Sequence, residues 1–197
     1  MTLEALLETL PPYARDLKLN LSSLLRQVEL TEQQAWGTLL ASAVAARNPQ
    51  LLRVVEAEAA QHLSPQAVQA AQAAAAIMGM NNIYYRFLHL AGNEKYRTIP
   101  ARLRMNVLRT HGIEPLDFEL WSTAVSAING CGTCVQSHEK VLRDKGMTEE
   151  SILAAIRLAS VVHGVAVVLD SVFKDSTPED AGEISLAALH PGAATPD

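Results

Sequence analysis

The chain has 197 residues, 49% of them hydrophobic and 19% charged, enough for one good core and short for two independent domains. Its formal net charge is −5 and its 16 lysines and arginines are scattered, which excludes a basic nucleic-acid-binding stripe and leaves the charges as a solvated surface. Met1-Thr2-Leu3-Glu4 lacks the layout of a signal peptide, and the longest apolar runs, Ala73 to Met80 and Gly164 to Leu169, are too short to cross a bilayer, so a soluble cytoplasmic protein with no membrane partner is expected.

The chain is rich in Ala, Leu, Glu and Gln, and no stretch alternates cleanly between apolar and polar residues, so an all-α fold is expected. Leu3 to Leu10 reads as a short helix stopped by Pro11-Pro12, and Tyr13 to Val28 as a second segment broken near Asn20. Thr31-Glu32-Gln33-Gln34 carries a capping pattern and opens a helix to about Arg47. Asn48-Pro49 and Ser64-Pro65 each place a capping side chain before a proline at the first helical position. The second of these pairs opens an alanine-rich helix reaching about Phe87. Leu88 to Pro100 is irregular, with a turn at Gly92-Asn93, and a further helix follows Pro100 and ends near Gly112. One more begins near Leu116 and ends at Asn129-Gly130, and its successor starts within Cys131 to Cys134. The tail after Lys174 holds one short helix, Glu179 to Leu189, and then frays.

The second half echoes the first. A slide of 85 residues takes Trp36 onto Trp121 and also superposes Thr38 on Thr123, Ala70 on Ala155, Ala74 on Ala159 and Gly79 on Gly164. The expectation is one domain over residues 1–175, with a repeat unit at about 30–88 and a second at about 115–174. Where the second unit has Glu119, Cys131, Cys134 and His138, the first has Gln34, Ala46, Pro49 and Arg53, so only the second can be active.

Both cysteines lie in Cys131-Gly132-Thr133-Cys134, with His138 four residues beyond. In a reducing compartment such a pair points to redox turnover or a metal rather than to a structural staple. If the helices on either side of Gly130 fold back on each other, Glu119 meets the turn that carries His138, while Cys134 and His138 share a helix face. The inferred relay runs from Glu119 to His138 to Cys134 to Cys131. Glu119, Ser122, Thr123 and Ser126 form a small or polar stripe facing the same way, either leaving room for water or permitting close helix packing.

A thiol of pKa about 8.5 is only roughly 3% ionised at pH 7. Lowering that pKa by two units takes roughly 2.7 kcal/mol, within reach of a helix N-terminus and one imidazolium together. A second thiol three residues away can then capture a sulfenic acid as a disulfide. Cys131, nearer the loop, is expected to be the more exposed sulfur and the one that meets a peroxide or a partner disulfide.

Two other function classes use the same residues. One is a metal site with Cys131, Cys134, His138 and Glu119 as ligands; the other is a non-redox, decarboxylase-like protein in which Glu119 and His138 alone supply base chemistry. Outside the motif, His163 is read as a core or interface histidine, His62, His89, His111 and His190 as solvated, Met78 and Met80 as core filling, and Trp36 and Trp121 as packing anchors.

Several runs carry a resemblance to a known family: Lys18-Leu19-Asn20-Leu21-Ser22-Ser23, Trp36-Gly37-Thr38-Leu39-Leu40-Ala41-Ser42, Arg47-Asn48-Pro49-Gln50, Ala76-Ile77-Met78-Gly79-Met80-Asn81-Asn82, Phe118-Glu119-Leu120-Trp121, and Ala124-Val125-Ser126-Ala127-Ile128-Asn129-Gly130-Cys131. Over about residues 1–175 the chain resembles the alkyl hydroperoxidase D family of the carboxymuconolactone decarboxylase-like superfamily. The resemblance implies an all-helical homotrimer with antioxidant peroxidase activity on organic hydroperoxides and no bound cofactor. It also implies an adaptor role, in which electrons pass from the dihydrolipoamide of a lipoylated dihydrolipoamide acyltransferase to a peroxiredoxin. Glu119 and His138 would be the proton relay, and Cys131 and Cys134 the redox disulfide. Some members carry a histidine just before the second cysteine, where this chain has Thr133, which is expected to cap the helix as Asn48 does in the first unit.

Overall fold

Most helices begin where a side chain can satisfy the otherwise unpaired first N–H groups. In the computed structural model, which describes residues 1–172, α1 (Leu3–Glu8) leads through a 3-10 turn (Pro12–Ala14) into α2 (Arg15–Leu24). Then follow α3 (Glu32–Ala46), α4 (Pro49–Ala59), α5 (Pro65–Leu90), α6 (Glu94–Thr98), α7 (Val107–Thr110), α8 (Pro115–Ile128), α9 (Gly132–Asp144) and α10 (Glu149–Val172). Among the described residues there is no strand, as expected. Thr31 Oγ1 accepts the Gln34 N–H at 3.2 Å while Gln34 Oε1 accepts the Thr31 N–H at 3.1 Å, which is the expected reciprocal cap. Asn48 Oδ1 accepts the Leu51 N–H at 2.8 Å, and Ser64 Oγ the Ala67 N–H at 3.1 Å. The expected helix at Glu179 to Leu189 lies outside the described residues.

Three local expectations are corrected. α2 runs through Asn20, whose side chain is exposed and solvated while the adjacent Leu21 is fully buried. A propensity cost below about 1 kcal/mol is outweighed by that burial. The irregular stretch after Leu88 is shorter than expected: α5 continues to Leu90, Gly92 takes the left-handed conformation at φ +61°, and Asn93 caps α6 by accepting the Lys95 N–H at 3.0 Å. Conversely, the helix expected after Pro100 shrinks to α7. Arg102 sits at φ +52°, and Arg102, Leu103 and Arg104 are exposed, so no apolar stripe is buried to hold a helix there.

α8 occupies the centre, against α3, α5, α9 and α10. Leu120, Trp121, Ala124 and Val125 on α8 are fully buried, as are Leu39 and Leu40 on α3 and Leu158, Val162 and Val165 on α10. α10 is long and apolar enough to cross a membrane by composition, which the count of unbroken apolar runs does not register. Most of its apolar residues, among them Leu158, Val162, Val165 and Leu169, lie in the core of the bundle, as those of a buried helix do, while Leu153, Val167 and Val172 are exposed. α3 and α8 approach each other closely at Gly37 and Trp121. Trp121 Nε1 donates to the Gln34 carbonyl at 3.3 Å, and a Cβ at Gly37 would lie 2.0 Å from Trp121 Cζ2. Trp36 is only half-buried and stacks on His62 with ring centroids 4.0 Å apart.

Helix starts recur along the chain. α3 begins at Glu32 and α8 at Pro115, 83 residues on; α4 at Pro49 and α9 at Gly132, again 83; α5 at Pro65 and α10 at Glu149, 84. This spacing is shorter than the separation of the tryptophans, so it sets Cys131, not Thr133, in the place of Asn48. Cys131 is indeed the N-cap of α9, its Sγ accepting the Cys134 N–H at 3.3 Å, which corrects the expected capping role of Thr133.

Two histidines also differ from expectation. His163 is exposed, so of its two readings, core or interface, the core one is corrected, and it borders a shallow pocket with Ala127, Ile128, Ala159 and Ser160. His111 is half-buried and stacked on Phe118, with ring centroids 4.2 Å apart, and its Nδ1 accepts the Ile113 N–H at 3.3 Å. Burial holds its pKa below the usual 6.5, and the nearby Glu119 carboxylate offsets part of that effect.

Two outcomes follow from this packing. Gly37→Ala is expected to cost about 1–3 kcal/mol by overpacking, and the cost should shrink when Trp121→Ala is added, as urea melts of the single and double variants will show. Because the folded pKa of His111 lies below 6.5, the unfolded chain takes up the proton first as pH falls, and stability is lost on going below 6.5. His111→Phe keeps the stacked ring and removes the proton site. Its urea midpoint should therefore fall less than that of the wild type between pH 7.5 and 5.5, and parallel decreases would contradict the assignment.

Candidate active site

The site is built on the reversal between α8 and α9. α8 stops because Gly130 adopts φ +67°, which lets the Gly130 N–H reach the Ala127 carbonyl and the Cys131 N–H reach the Ser126 carbonyl, both at 3.1 Å. Cys131 thereby closes one helix with its backbone and opens the next with its sulfur. The reversal places Glu119 beside α9, and His138 Nδ1 donates to Glu119 Oε2 at 2.6 Å. This is the pairing expected from folding the two helices about Gly130. With Nδ1 holding its proton for the carboxylate, Nε2 is the nitrogen free to take up or release another.

Cys131 and Cys134 are joined as a disulfide. Their burial reverses one expectation: Cys131 is fully buried and Cys134 is 5% exposed. Cys134, not Cys131, lines a cavity of about 370 Å³ together with Thr133, Ser137 and His138 of α9. Asn81 and Tyr85 of α5 and Met105 and Leu108 from the segment around α7 complete the wall. Cys131 lies inside because it is tied between two helix ends, where its backbone N–H and its sulfur are both engaged. The stripe on α8 is packed as well: Ser122, Thr123 and Ser126 are buried, with the Thr123 hydroxyl donating to the Glu119 carbonyl at 2.8 Å. This favours close helix packing over room for water. No group of three or more His, Cys, Asp and Glu side chains among the described residues converges with metal-binding spacing.

Sequence reasoning missed the residues that hold this junction in place. Asn82 on α5 donates to Ser126 Oγ at 2.9 Å and accepts from Asn129 Nδ2 at 2.9 Å, while Arg86 Nη1 donates to the Asn129 carbonyl at 2.6 Å. Together they clamp the carboxyl end of α8, from which the dithiol projects. A signal was present in Asn81-Asn82: two poor helix formers side by side inside an alanine-rich helix imply that their side chains are used. The cavity wall at Met105 and Leu108 had no such signal, since nothing local ties that segment to Cys134.

A family model described as the carboxymuconolactone decarboxylase family matches residues 94–173. Close relatives extend the likeness over most of the chain. A protein named alkyl hydroperoxide reductase AhpD from Solibacter usitatus (strain Ellin6076) is 64% identical over 170 residues, covering 86% of this chain and 96% of the relative. Proteins of the same name from Acidobacterium capsulatum and Koribacter versatilis (strain Ellin345) are 63% and 62% identical over 172 residues, covering 87% of this chain and 94% and 89% of their own lengths. Identity at this level, over most of this chain and nearly the whole of each relative, places the chain in the alkyl hydroperoxide reductase AhpD family.

Proposed function

We propose that the protein is an alkyl hydroperoxide reductase that cycles the Cys131–Cys134 disulfide. The observation that carries this reading is the 2.6 Å pair of Glu119 and His138, with His138 lining the same cavity as Cys134 of a dithiol at a helix start. In the reduced protein, Glu119 fixes the His138 tautomer and Nε2 accepts the Cys134 proton. The α9 N-terminus and the resulting imidazolium favour the thiolate. Cys134 Sγ attacks the terminal oxygen of the hydroperoxide and the O–O bond breaks. The sulfur becomes a sulfenic acid, and the alkoxide leaves as an alcohol with the proton held by His138. The Cys131 thiol then displaces the hydroxyl of the sulfenic acid as water, forming the disulfide. Cavity access favours Cys134 as the attacking sulfur and burial favours Cys131 as the resolving one.

The disulfide returns to the dithiol by exchange with a dihydrolipoamide, which leaves as lipoamide after a mixed disulfide. The proposed donor is a lipoylated dihydrolipoamide acyltransferase, and in the adaptor role the dithiol reduces the disulfide of a peroxiredoxin. No cofactor need be bound for either exchange. We read the chain as one cytoplasmic domain over 1–175 built from two copies of a three-helix unit, a reading supported by the recurring helix starts. In that register the first unit offers Asn48, Leu51 and Val55 where the second has Cys131, Cys134 and His138, so it remains scaffold. Self-association as a homotrimer is supported by the exposed apolar side chains of Ile83, Phe87 and Leu90 along α5, beside Tyr96 and Ile99.

The central experiment is a coupled assay with a lipoylated acyltransferase, its dehydrogenase, NADH and cumene hydroperoxide, run with and without a peroxiredoxin. NADH consumption that requires both cysteines is expected; full activity after alkylation of the dithiol would remove the reading. Cys131→Ser should still form a sulfenic acid that dimedone traps, while Cys134→Ser should form none. The reverse pattern would make Cys131 the attacking sulfur. Glu119→Gln should lower kcat/KM for the hydroperoxide by about 100-fold, the scale of a lost acid–base relay, with the circular dichroism spectrum unchanged.

A further inference from the structure

Asn81 and Asn82 are consecutive on α5, so their side chains leave the helix about 100° apart. Asn82 is fully engaged: it donates to Ser126 and accepts from Asn129. Asn81 is only 5% exposed, its Oδ1 is buried with no hydrogen-bond partner among the described residues, and it lines the same cavity as Cys134 and His138. A buried carboxamide left unpaired is destabilising, and native proteins rarely keep one without a use. Its Nδ2 makes no hydrogen bond among the described residues and, unlike Oδ1, is not enclosed, so the N–H donors are free on the side of the residue that borders the cavity. The rest of the wall is mostly apolar on that side, with Met105, Leu108 and the Tyr85 ring, and suits the alkyl part of a hydroperoxide.

We propose that the Asn81 carboxamide is the hydrogen-bond donor for the leaving oxygen of the hydroperoxide. This rests on the peroxidase reading above and assigns that site its substrate-orienting group. As Cys134 Sγ bonds to the terminal oxygen and the O–O electron pair moves to the inner oxygen, negative charge develops on that inner oxygen. Asn81 Nδ2–H donates to it while the bond breaks, and the proton from the His138 imidazolium completes the alcohol. A donor fixed in a largely dry pocket acts most strongly on charge that appears only in the transition state. Disulfide reduction by a dithiol releases a thiolate and makes no alkoxide, so that half-reaction does not need Asn81.

The two half-reactions separate the roles. In single-turnover experiments on the full chain, Asn81→Leu removes the donor at nearly constant volume and should fold at least as stably as the wild type. Its oxidation by cumene hydroperoxide, followed by rapid alkylation of remaining thiols, should be slower by about 100-fold. Its reduction by dihydrolipoamide should match the wild type. Asn81→Gln, which keeps a carboxamide, should recover part of the rate. With a peracid, whose carboxylate leaving group carries its charge without help, the defect should shrink to a few-fold. Equal rates of wild type and Asn81→Leu with cumene hydroperoxide would overturn the assignment, as would the same loss with both oxidants or in both half-reactions. A wild-type chain that cumene hydroperoxide does not oxidise would overturn the peroxidase reading itself, and this one with it.

Discussion

The reversal at Gly130 is the constraint on which the site depends. A left-handed residue there lets the last turn of α8 close on Ser126 and Ala127 and leaves Cys131 as both the exit from one helix and the cap of the next. A β-carbon at φ +67° would carry a steric cost that the surrounding contacts would have to absorb. The angle between α8 and α9 decides whether Glu119 reaches His138, because those residues are 19 apart in sequence and 2.6 Å apart in space. The clamp from Asn82 and Arg86 fixes the carboxyl end of α8, one side of that angle, from a third helix. The three side-chain bonds of the clamp share Asn82 and Asn129, so they act as one network rather than as separate contacts.

What could be read from the chain is what local chemistry decides. Thr31 with Gln34, Asn48 with Pro49, Ser64 with Pro65 and Asn129 with Gly130 each announce a helix boundary through bonds spanning three or four residues, and each boundary is where it was expected. The Glu119 to His138 pair was also accessible, because one turn and a helical pitch suffice to bring the two together. Burial was not accessible in the same way. Nothing within a few residues says that Cys131 is enclosed and Cys134 faces a cavity, or that His111 stacks on Phe118 while His163 is exposed. Those outcomes follow from which helix lies across which, and that is settled by the whole core. The segment at 101–106 shows the opposite limit: its composition permits a helix, yet no buried face exists to stabilise one.

The unequal burial of the two sulfurs has a chemical logic in the proposed cycle. An attacking thiolate must meet substrate, so it belongs on a cavity wall; a resolving thiol must meet only its partner. Keeping Cys131 enclosed confines it to that one reaction and shields it from direct over-oxidation. Its sulfur also accepts the Cys134 N–H, so the group that waits to form the disulfide helps to fix the first turn of the helix bearing the attacking group. Thr133, between them, is free of any capping duty and lies in the cavity wall.

Positioning and chemistry meet on α5. The central helix α8 is held by close apolar contact along most of its length, as the approach of Trp121 to Gly37 shows, but apolar contact sets no direction for a hydrogen-bonding group. Direction comes from the two asparagines. Asn82 spends its carboxamide on the scaffold and fixes the end of α8, while Asn81, one residue earlier, is carried by the same rigid backbone to the cavity. The clamp that orients the dithiol therefore also sets the distance between the dithiol and the unpaired carboxamide. A change that loosens Asn82 must disturb both together, whereas a change at Asn81 leaves the frame intact, so the roles of the two neighbours can be separated by experiment.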